Sequence, residues 1–240
     1  MKHLIYILFL ILYSCSFNID MNSSELEEQP TDDETIWNIT ITNETKLPND
    51  IRWVTNASEY KILCEQIYKN AWQNLSETLK KATSQSAIIM DLDETVLDNS
   101  MYQVENFNKG QTFNMESWAA WVNREEAKLI PGVKEYIELV RDLGIQLIFI
   151  SNRMDERLEA TKQNIKKLNI YDGKDIYLLR LNKEDKKDIR RNEVFNGTNR
   201  MVGYGPFDVI LYIGDAMGDF PEDNNNSNKY ILPNPMYGKW

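Results

Sequence analysis

Histidine is almost absent from this chain of 240 residues, and its single example is His3 near the N-terminus. If the leader that begins the chain is removed, the mature protein has no histidine at all. This excludes a Ser-His-Asp triad, a phosphohistidine intermediate and zinc sites that use imidazole ligands. Catalysis would then depend on Asp, Glu, Lys, Arg, Ser, Thr and Tyr side chains, with or without a hard metal ion that prefers oxygen ligands.

Cysteine is also scarce, since Cys15 and Cys64 are the only two in the sequence. Two cysteines provide neither a disulfide framework nor a cysteine-rich metal site. Cys64 lies in an apolar pattern with helical spacing, which predicts a core position.

Positive charge is in deficit, with a formal net charge of −10. The charge becomes −11 when Lys2 leaves with the leader. A strongly acidic protein binds nucleic acid polymers and anionic lipid surfaces poorly, so we expect no nucleic acid partner. A local positive pocket for a small phosphate remains compatible with this charge.

Residues 1–14 are typical of a signal peptide. A short basic start precedes the apolar run 4–13, which is too short to span a bilayer that needs about 20 residues. Leu12-Tyr13-Ser14-Cys15 resembles a bacterial lipoprotein box, which predicts a lipid on Cys15 and anchoring in the bacterial cell envelope, at the outer membrane or cell surface. The alternative is an ordinary cleaved signal with an incidental cysteine.

Residues 15–50 are rich in polar and acidic side chains, which predicts a tether between the lipid and a folded domain. Within it, residues 36–41 alternate weakly in polarity and are compatible with a short strand. Residues 51–240 are long enough for one domain with its own core.

Apolar runs alternate with helical patterns through this domain. The predicted strands are 87–90, 145–150, 176–181, 209–213 and, less regularly, 230–232. The predicted helices are 58–80, 131–144, about 156–168 and one from about 184. This alternation predicts an α/β fold in which helices cover both faces of a parallel sheet, with the ligand beyond the carboxyl ends of the strands.

The first strand is followed directly by Asp91-Leu92-Asp93-Glu94-Thr95. Two carboxylates one residue apart do not both stay ionised without help, and a metal ion or a transferable proton resolves the conflict. The stretch therefore suggests phosphoryl chemistry at the mouth of the sheet. By itself it is equally compatible with a strand followed by a polar turn.

The other strands also end in groups suited to phosphate or metal. These are Ser151-Asn152-Arg153 after the second strand, then Lys183, Lys186 and Lys187 after the third, and Gly214-Asp215 with Asp219 after the fourth. Four such endings at one edge are hard to explain as turns alone.

In this order, the motifs resemble those of the haloacid dehalogenase-like superfamily of phosphohydrolases. The longer stretch Asp91-Leu92-Asp93-Glu94-Thr95-Val96-Leu97-Asp98-Asn99 is similar to the class C nonspecific acid phosphatases, which include lipoprotein 5'-nucleotidases. The resemblance covers about residues 53–240. It implies a Rossmann-like fold with a small helical, aromatic cap at about residues 100–130.

The resemblance also implies catalytic roles. Asp91 would be the nucleophile that forms an aspartyl-phosphate, and Asp93 would be the general acid and base. Mg²⁺ would be held by Asp91, the backbone carbonyl of Asp93 and Asp215. Asp219 would orient the waters on the metal.

Three further groups would contact the substrate. Ser151 and Asn152 would bind phosphoryl oxygens, and one lysine would pair with the phosphate and the nucleophile. We expect that lysine to be Lys186, since the family pattern has two lysines three residues apart with the second in the site.

On the leaving-group side, Trp118 and Tyr237 fall where the resembled family sandwiches a nucleobase. We therefore expect a small phosphomonoester substrate, such as a nucleoside monophosphate, and leave a homodimer open. Two alternatives remain at this point. One is a phosphatase for sugar phosphates, and the other is a surface binding lipoprotein that keeps a phosphatase-like fold.

Overall fold

The computed structural model describes residues 46–78, 83–223 and 227–238. The predicted signal peptide, Cys15 and the strand at 36–41 lie outside these residues, as does nearly all of the tether. In the described ranges no helix is both long and apolar enough to cross a membrane. The first described helix begins at Asn49, so the predicted tether extends two residues too far into the folded domain.

Within the described residues, helices and strands alternate along the chain. The helices are α1 (Asn49–Asn56), α2 (Ser58–Thr78), α3 (Ser100–Asn108), α4 (Met115–Arg124), α5 (Val133–Asp142), α6 (Leu158–Lys167) and α7 (Lys187–Asn196). The strands are β1 (Ser86–Met90), β2 (Leu97–Asp98), β3 (Lys128–Leu129), β4 (Gln146–Met154), β5 (Ile176–Arg180), β6 (Asp208–Gly214) and β7 (Lys229–Ile231).

Five strands form one parallel sheet in the order β5-β4-β1-β6-β7. The central strand β1 is buried along its whole length, as its uninterrupted apolar run predicts. The predicted α/β fold with a parallel sheet is confirmed. Since parallel strands end at the same edge, the carboxyl ends of β1, β4, β5 and β6 lie side by side.

The two faces of the sheet have separate cores. Side chains alternate between the faces of a strand, so Ile88 and Met90 point to one side of β1 while Ala87 and Ile89 point to the other. The first side packs against α2 and α5, and Cys64 of α2 is fully buried there, which confirms its predicted core position. The second side packs against α7, which buries Val194.

The segment between β1 and β4 forms a small unit beside the carboxyl edge. Before α5, this unit consists of α3, α4 and the short antiparallel pair β2–β3, in which Leu97 lies opposite Leu129. Tyr102 of α3 is the centre of its aromatic cluster, with ring centroids 5.1 Å from Trp118, 6.2 Å from Trp121 and 6.4 Å from Phe113. Most aromatic residues of this segment therefore pack against each other.

The end of β6 is shaped by a close approach that only glycine permits. A Cβ atom at Gly214 would lie 2.4 Å from both the Cβ and the Oδ2 atoms of Asp219. The carboxylate of Asp219 accepts hydrogen bonds from the backbone N–H groups of Asp215 (3.1 Å) and Ala216 (3.0 Å). The absent side chain at Gly214 thus leaves room for the carboxylate that closes the following turn.

We expect Gly214→Ala to lower the free energy of unfolding by about 1–3 kcal/mol, because the added methyl group must displace Asp219 or the strand end. Urea unfolding followed by circular dichroism measures this. The control is Gly218→Ala in the same turn, where nothing lies within 4 Å of the added Cβ atom. Equal stability of the two variants would contradict this account of Gly214.

Candidate active site

The predicted site residues do meet at the carboxyl edge of the sheet. Asp91 continues β1 and donates its backbone N–H to the carbonyl of Ile213 in β6 (2.9 Å). Carboxylate oxygens of Asp91, Asp215 and Asp219 lie within 4.8 Å of one another. The first and fourth motifs, more than 120 positions apart in sequence, therefore form one cluster.

Asp91 is the most deeply buried of these carboxylates. Its residue is 5 % exposed, and the ammonium group of Lys187 contacts both Asp91 and Asp219. Burial raises the pKa of Asp91 well above its ordinary value. Lys187 acts in the opposite direction, while the neighbouring charges of Asp219 and Asp215 raise the pKa further.

The prediction that Lys186 is the lysine of this cluster is wrong, because the structure places Lys187 there. Lys186 is exposed and precedes α7 in an extended conformation (φ −80°, ψ 162°), whereas Lys187 is the first residue of the helix. Lys187 has a side chain that is only 9 % exposed. The direction of each lysine follows from where the helix begins, and the charged run 182–191 does not reveal that position.

The carboxylate of Asp215 is held by a hydrogen bond from Asn234. The Asn234 Nδ2 atom donates to Asp215 Oδ2 over 2.8 Å. Burial, followed by the charge of Asp219, raises the pKa of Asp215 to about 6, and the Asn234 hydrogen bond partly opposes this. Asn234 had no predicted role, although the stretch Leu232-Pro233-Asn234 is one of those that carry the family resemblance.

The cluster of three carboxylates suits a hard divalent cation. Its ligand atoms are all oxygen, which is the donor type that Mg²⁺ prefers. Burial is the first cause of the raised pKa values of Asp91 and Asp215, the neighbouring carboxylates add to it, and a bound cation would favour the ionised forms. The residues present therefore fit a metal ion held by Asp91 and Asp215, with Asp219 beside them.

The second carboxylate of the first motif has its own positive partner. Asp93 Oδ1 accepts hydrogen bonds from Arg153 Nε (2.9 Å) and Asn99 Nδ2 (3.0 Å). Arg153 is buried and also donates to Thr161 Oγ1 (3.1 Å) and Asn99 Oδ1 (3.3 Å). Asp93 is thus held apart from the three-carboxylate cluster. Its pairing with Arg153, 60 positions away, was not predicted.

Glu94, which directly follows Asp93, is an unusual buried acid. It adopts a left-handed backbone conformation (φ 54°), and its Oε1 atom accepts the backbone N–H of Asn99 (3.0 Å). Its Oε2 atom is buried without a partner among the described residues. Burial, and then the charges of Asp93 and Asp215, raise its pKa well above the ordinary value, which favours a neutral side chain.

The phosphate-binding candidates Ser151 and Asn152 lie in the last part of β4, where its pairing with β5 is irregular. Ser151 Oγ lies 3.3 Å from Asp93 Oδ2 and accepts the backbone N–H of Arg153 (3.0 Å), which places the hydroxyl at the same edge as Asp91. Asn152 is exposed, and its Oδ1 atom accepts a hydrogen bond from Arg190 Nη2 (2.8 Å).

Trp118 and Tyr237, the two aromatic residues predicted to bind a nucleobase, differ in their surroundings. Trp118 is half-buried in α4, with its ring centroid 5.7 Å from the guanidinium carbon of Arg153. It also lines a cavity of about 300 Å³ together with Met115 and Met154. Tyr237 follows β7 and is 40 % exposed. Within the described residues, no ring contact joins Tyr237 to Trp118.

Comparison with known proteins agrees with this geometry. Two crystal structures of the class C acid phosphatase from Bacillus anthracis, one with tungstate bound, match with TM-scores of 0.70 and 0.69 at 30% sequence identity. Each match covers 79% of this chain and 84% of the phosphatase chain.

Curated relatives include plant proteins. The Stem 31 kDa glycoprotein of Glycine max is 25% identical over 188 residues, covering 76% of this chain and 70% of that protein. The Vegetative storage protein 1 of Arabidopsis thaliana is 26% identical over 188 residues, covering 77% of this chain and 67% of that protein.

A family model described as "HAD superfamily, subfamily IIIB (Acid phosphatase)" matches residues 21–240, which is most of the chain and begins inside the predicted tether. The resemblance inferred from the motifs is thereby confirmed, and the chain belongs to subfamily IIIB of the HAD superfamily, the acid phosphatases.

Proposed function

We propose that this acid phosphatase hydrolyses small phosphomonoesters through an aspartyl-phosphate on Asp91, with Mg²⁺ as its cofactor. The observation that carries the proposal is the contact of Lys187 with both Asp91 and Asp219 at the carboxyl end of β1. A buried carboxylate beside an ammonium group and two further carboxylates is poorly suited to a purely structural role, because it is costly to keep ionised.

The reaction follows from where the side chains lie. A carboxylate oxygen of Asp91 attacks phosphorus while the bond to the ester oxygen breaks, and Asp93 donates a proton to that leaving oxygen. Asp93 then removes a proton from the water that attacks the aspartyl-phosphate, which releases phosphate and restores Asp91. Lys187 lowers the repulsion between the nucleophile and the anionic substrate.

Asp93 can transfer a proton through the carboxylate oxygen that Arg153 does not hold. Both Arg153 and Asn99 donate to the Oδ1 atom, whereas among the described residues the one hydrogen bond to Oδ2 comes from the Ser151 hydroxyl at 3.3 Å. Oδ2 is therefore the atom better placed to exchange a proton with the substrate, while Oδ1 keeps the side chain oriented.

Magnesium would be held by Asp91, Asp215 and the backbone carbonyl of Asp93. When bound, it would neutralise the carboxylates and polarise the phosphoryl group. Asp219, whose carboxylate is fixed by two backbone amides and Lys187, would orient the waters on the ion.

For the substrate we propose a nucleoside monophosphate. Trp118 supports this, because it borders a cavity of about 300 Å³ and an aromatic face stacks on any base with about 1–3 kcal/mol. Tyr237 remains the predicted second face. Sugar phosphates are the alternative substrates, since nothing in a phosphoryl site distinguishes the leaving group.

A noncatalytic role is the competing function, and one plant relative is named a storage protein. The complete set of Asp91, Asp93, Ser151 and Asp215 favours catalysis here. A binding protein has no need to retain a costly carboxylate pair and its lysine. Anchoring by a lipid on Cys15 in a bacterial envelope stays a prediction from the leader, as does a homodimer.

We expect the protein to hydrolyse p-nitrophenyl phosphate in Mg²⁺, and nucleoside monophosphates faster than sugar phosphates. We expect Asp91→Asn to hydrolyse none of them while keeping its circular dichroism spectrum. Phosphate release across such a panel is the measurement, with Asp142→Asn at the exposed end of α5 as the control. Substantial turnover by Asp91→Asn would rule out the aspartyl-phosphate mechanism, and faster release from sugar phosphates would favour the alternative substrate.

Substitution of the two adjacent lysines gives a matched comparison. We expect Lys187→Met to lose about 10²-fold or more in kcat, because it removes the positive charge beside the nucleophile. Lys186→Met should stay within about twofold of the unchanged protein, since that side chain is exposed. Steady-state kinetics at a temperature where both variants are folded would test this, and the reverse order of losses would refute the assignment.

Metal binding should change the pH dependence of stability. Without metal, the folded protein holds a proton on Asp215 up to about pH 6, whereas an unfolded carboxyl releases it near pH ~4. The folded state then binds more protons in this window, so the metal-free protein should lose stability as pH rises from about 4 to 6. Mg²⁺ binds the ionised carboxylates and should reduce that loss.

Thermal unfolding in EDTA and in Mg²⁺ across this pH range measures the effect. Asp215→Asn should flatten the curve in EDTA and reduce the stabilisation by Mg²⁺, while Asp208→Asn on the exposed start of β6 should do neither. Identical curves with and without Mg²⁺ in the unchanged protein would count against the proposed metal site.

A further inference from the structure

Arg190 is a fully buried arginine that makes no contact with the proposed nucleophile, yet all five of its N–H groups are used. It lies on α7, three residues after Lys187, and its exposure is 0%. Nε donates to the Lys186 carbonyl (3.4 Å), Nη1 to the carbonyls of Ser151 and Leu178 (3.0 Å for Leu178), and Nη2 to Asn152 Oδ1 (2.8 Å) and the Asp185 carbonyl (3.2 Å). A guanidinium group has five N–H donors in a fixed plane, so this set leaves none unpaired.

Four of these five acceptors belong to two separate arms of the site, and the fifth, the Leu178 carbonyl, lies in β5. Ser151 and Asn152 lie in the last part of β4 and carry the predicted phosphate-binding groups. The carbonyls of Asp185 and Lys186 lie immediately before Lys187, the lysine at the nucleophile. One rigid planar group therefore sets the spacing between the β4 end and the start of α7.

The electrostatic surroundings of Arg190 are a second reason to assign it a structural role. The carboxylate of Asp185 lies 3.5 Å from Arg190 Nε and is also bound by Arg200. Burial lowers the pKa of Arg190 to about 10 despite that carboxylate, which shows that the surroundings disfavour the charged group. Keeping it there is unfavourable unless its geometry serves a purpose.

Arg190 also determines which way the Asn152 amide points. A guanidinium group only donates, so it is the Asn152 oxygen that faces Arg190. The Nδ2 atom is then on the other side of the amide. Asn152 is exposed and directly follows Ser151, so this orientation presents an N–H donor at the carboxyl edge of the sheet, where a phosphoryl oxygen would accept it.

We propose that Arg190 is a positioning residue for phosphate recognition, which holds Lys187 and the Ser151–Asn152 pair at the separation of a phosphoryl group and orients the Asn152 amide toward it. The role acts through other residues, and Arg190 itself does not touch the substrate. It rests on the proposed phosphatase function.

The test is Arg190→Lys, which keeps the positive charge but loses the planar fork. The matched control is Arg200→Lys in the same polar cluster. Arg200 bonds the carbonyl of Leu179, Asp185 and Glu193, and none of its hydrogen bonds in the described residues reaches Ser151 or Asn152. Both substitutions should lower the melting temperature, so stability by itself does not distinguish them.

The distinguishing measurement is the affinity for inorganic phosphate in Mg²⁺, by calorimetry and by competitive inhibition, well below both melting temperatures. For Arg190→Lys we expect affinity about tenfold weaker or worse, with KM raised by a similar factor, because donors to a charged ligand are misplaced. Arg200→Lys should bind phosphate within about twofold of the unchanged protein. Unchanged affinity in Arg190→Lys, or an equal loss in both variants, would overturn the proposal.

A second variant covers the case in which Arg190→Lys does not fold. Asn152→Asp keeps the oxygen that accepts from Arg190 and replaces the outward donor with a second oxygen that repels phosphate. We expect phosphate affinity at least tenfold weaker, with a melting temperature unchanged or raised. Unchanged affinity would show that the amide does not face the phosphate.

These outcomes are distinct from failure of the proposed function. If the unchanged protein neither hydrolyses p-nitrophenyl phosphate nor binds phosphate, the function itself is wrong and the role of Arg190 falls with it. If the unchanged protein is active while Arg190→Lys and Asn152→Asp both bind phosphate normally, only the role of Arg190 is refuted.

Discussion

The crowding of negative charge at one edge of the sheet is the constraint on which the rest of this structure depends. Carboxylates of Asp91, Asp215 and Asp219 lie within 4.8 Å of one another. Two unit charges at that distance repel by about 3–4 kcal/mol at an effective dielectric constant of 20, which exceeds the roughly 1 kcal/mol of an ordinary hydrogen bond. Lys187 offsets part of this repulsion, and a divalent cation would offset more of it.

Buried arginines form the framework that holds this edge together. Arg153 orients Asp93, Arg190 joins the ends of β4 and β5 to the start of α7, and Arg191 donates to the carbonyl of Gly218 beside Asp219 (2.9 Å). Each donates hydrogen bonds to groups near the carboxyl edge of the sheet. The acidic cluster and the arginine framework are therefore complementary, with the arginines shaping the loops and Lys187 meeting the nucleophile.

Family membership and the site answer different questions. The match over residues 21–240 establishes an acid phosphatase family, but the relatives of this chain include a plant storage protein and stem glycoproteins as well as a bacterial phosphatase. Activity in a particular member thus depends on which side chains remain at the carboxyl edge. Here Asp91, Asp93, Ser151 and Asp215 are all present.

Local sequence properties determined the architecture of this protein. Uninterrupted apolar runs indicated β1, β4, β5 and β6, and the short Asp91–Thr95 stretch indicated the chemistry. Strand formation and the spacing of the two aspartates both depend on residues adjacent in the sequence. The pattern missed α1 and the two-residue strands β2 and β3, which are too short for a periodic signal. Only the tertiary structure decided that Lys187 and not Lys186 enters the site, that Arg153 pairs with Asp93, and that Arg190 joins β4 to α7. The side-chain directions of neighbouring residues such as Lys186 and Lys187 depend on where the helix begins, since successive helical residues point about 100° apart. The arginine contacts depend on how distant strands and helices pack together. No local sequence pattern specifies either.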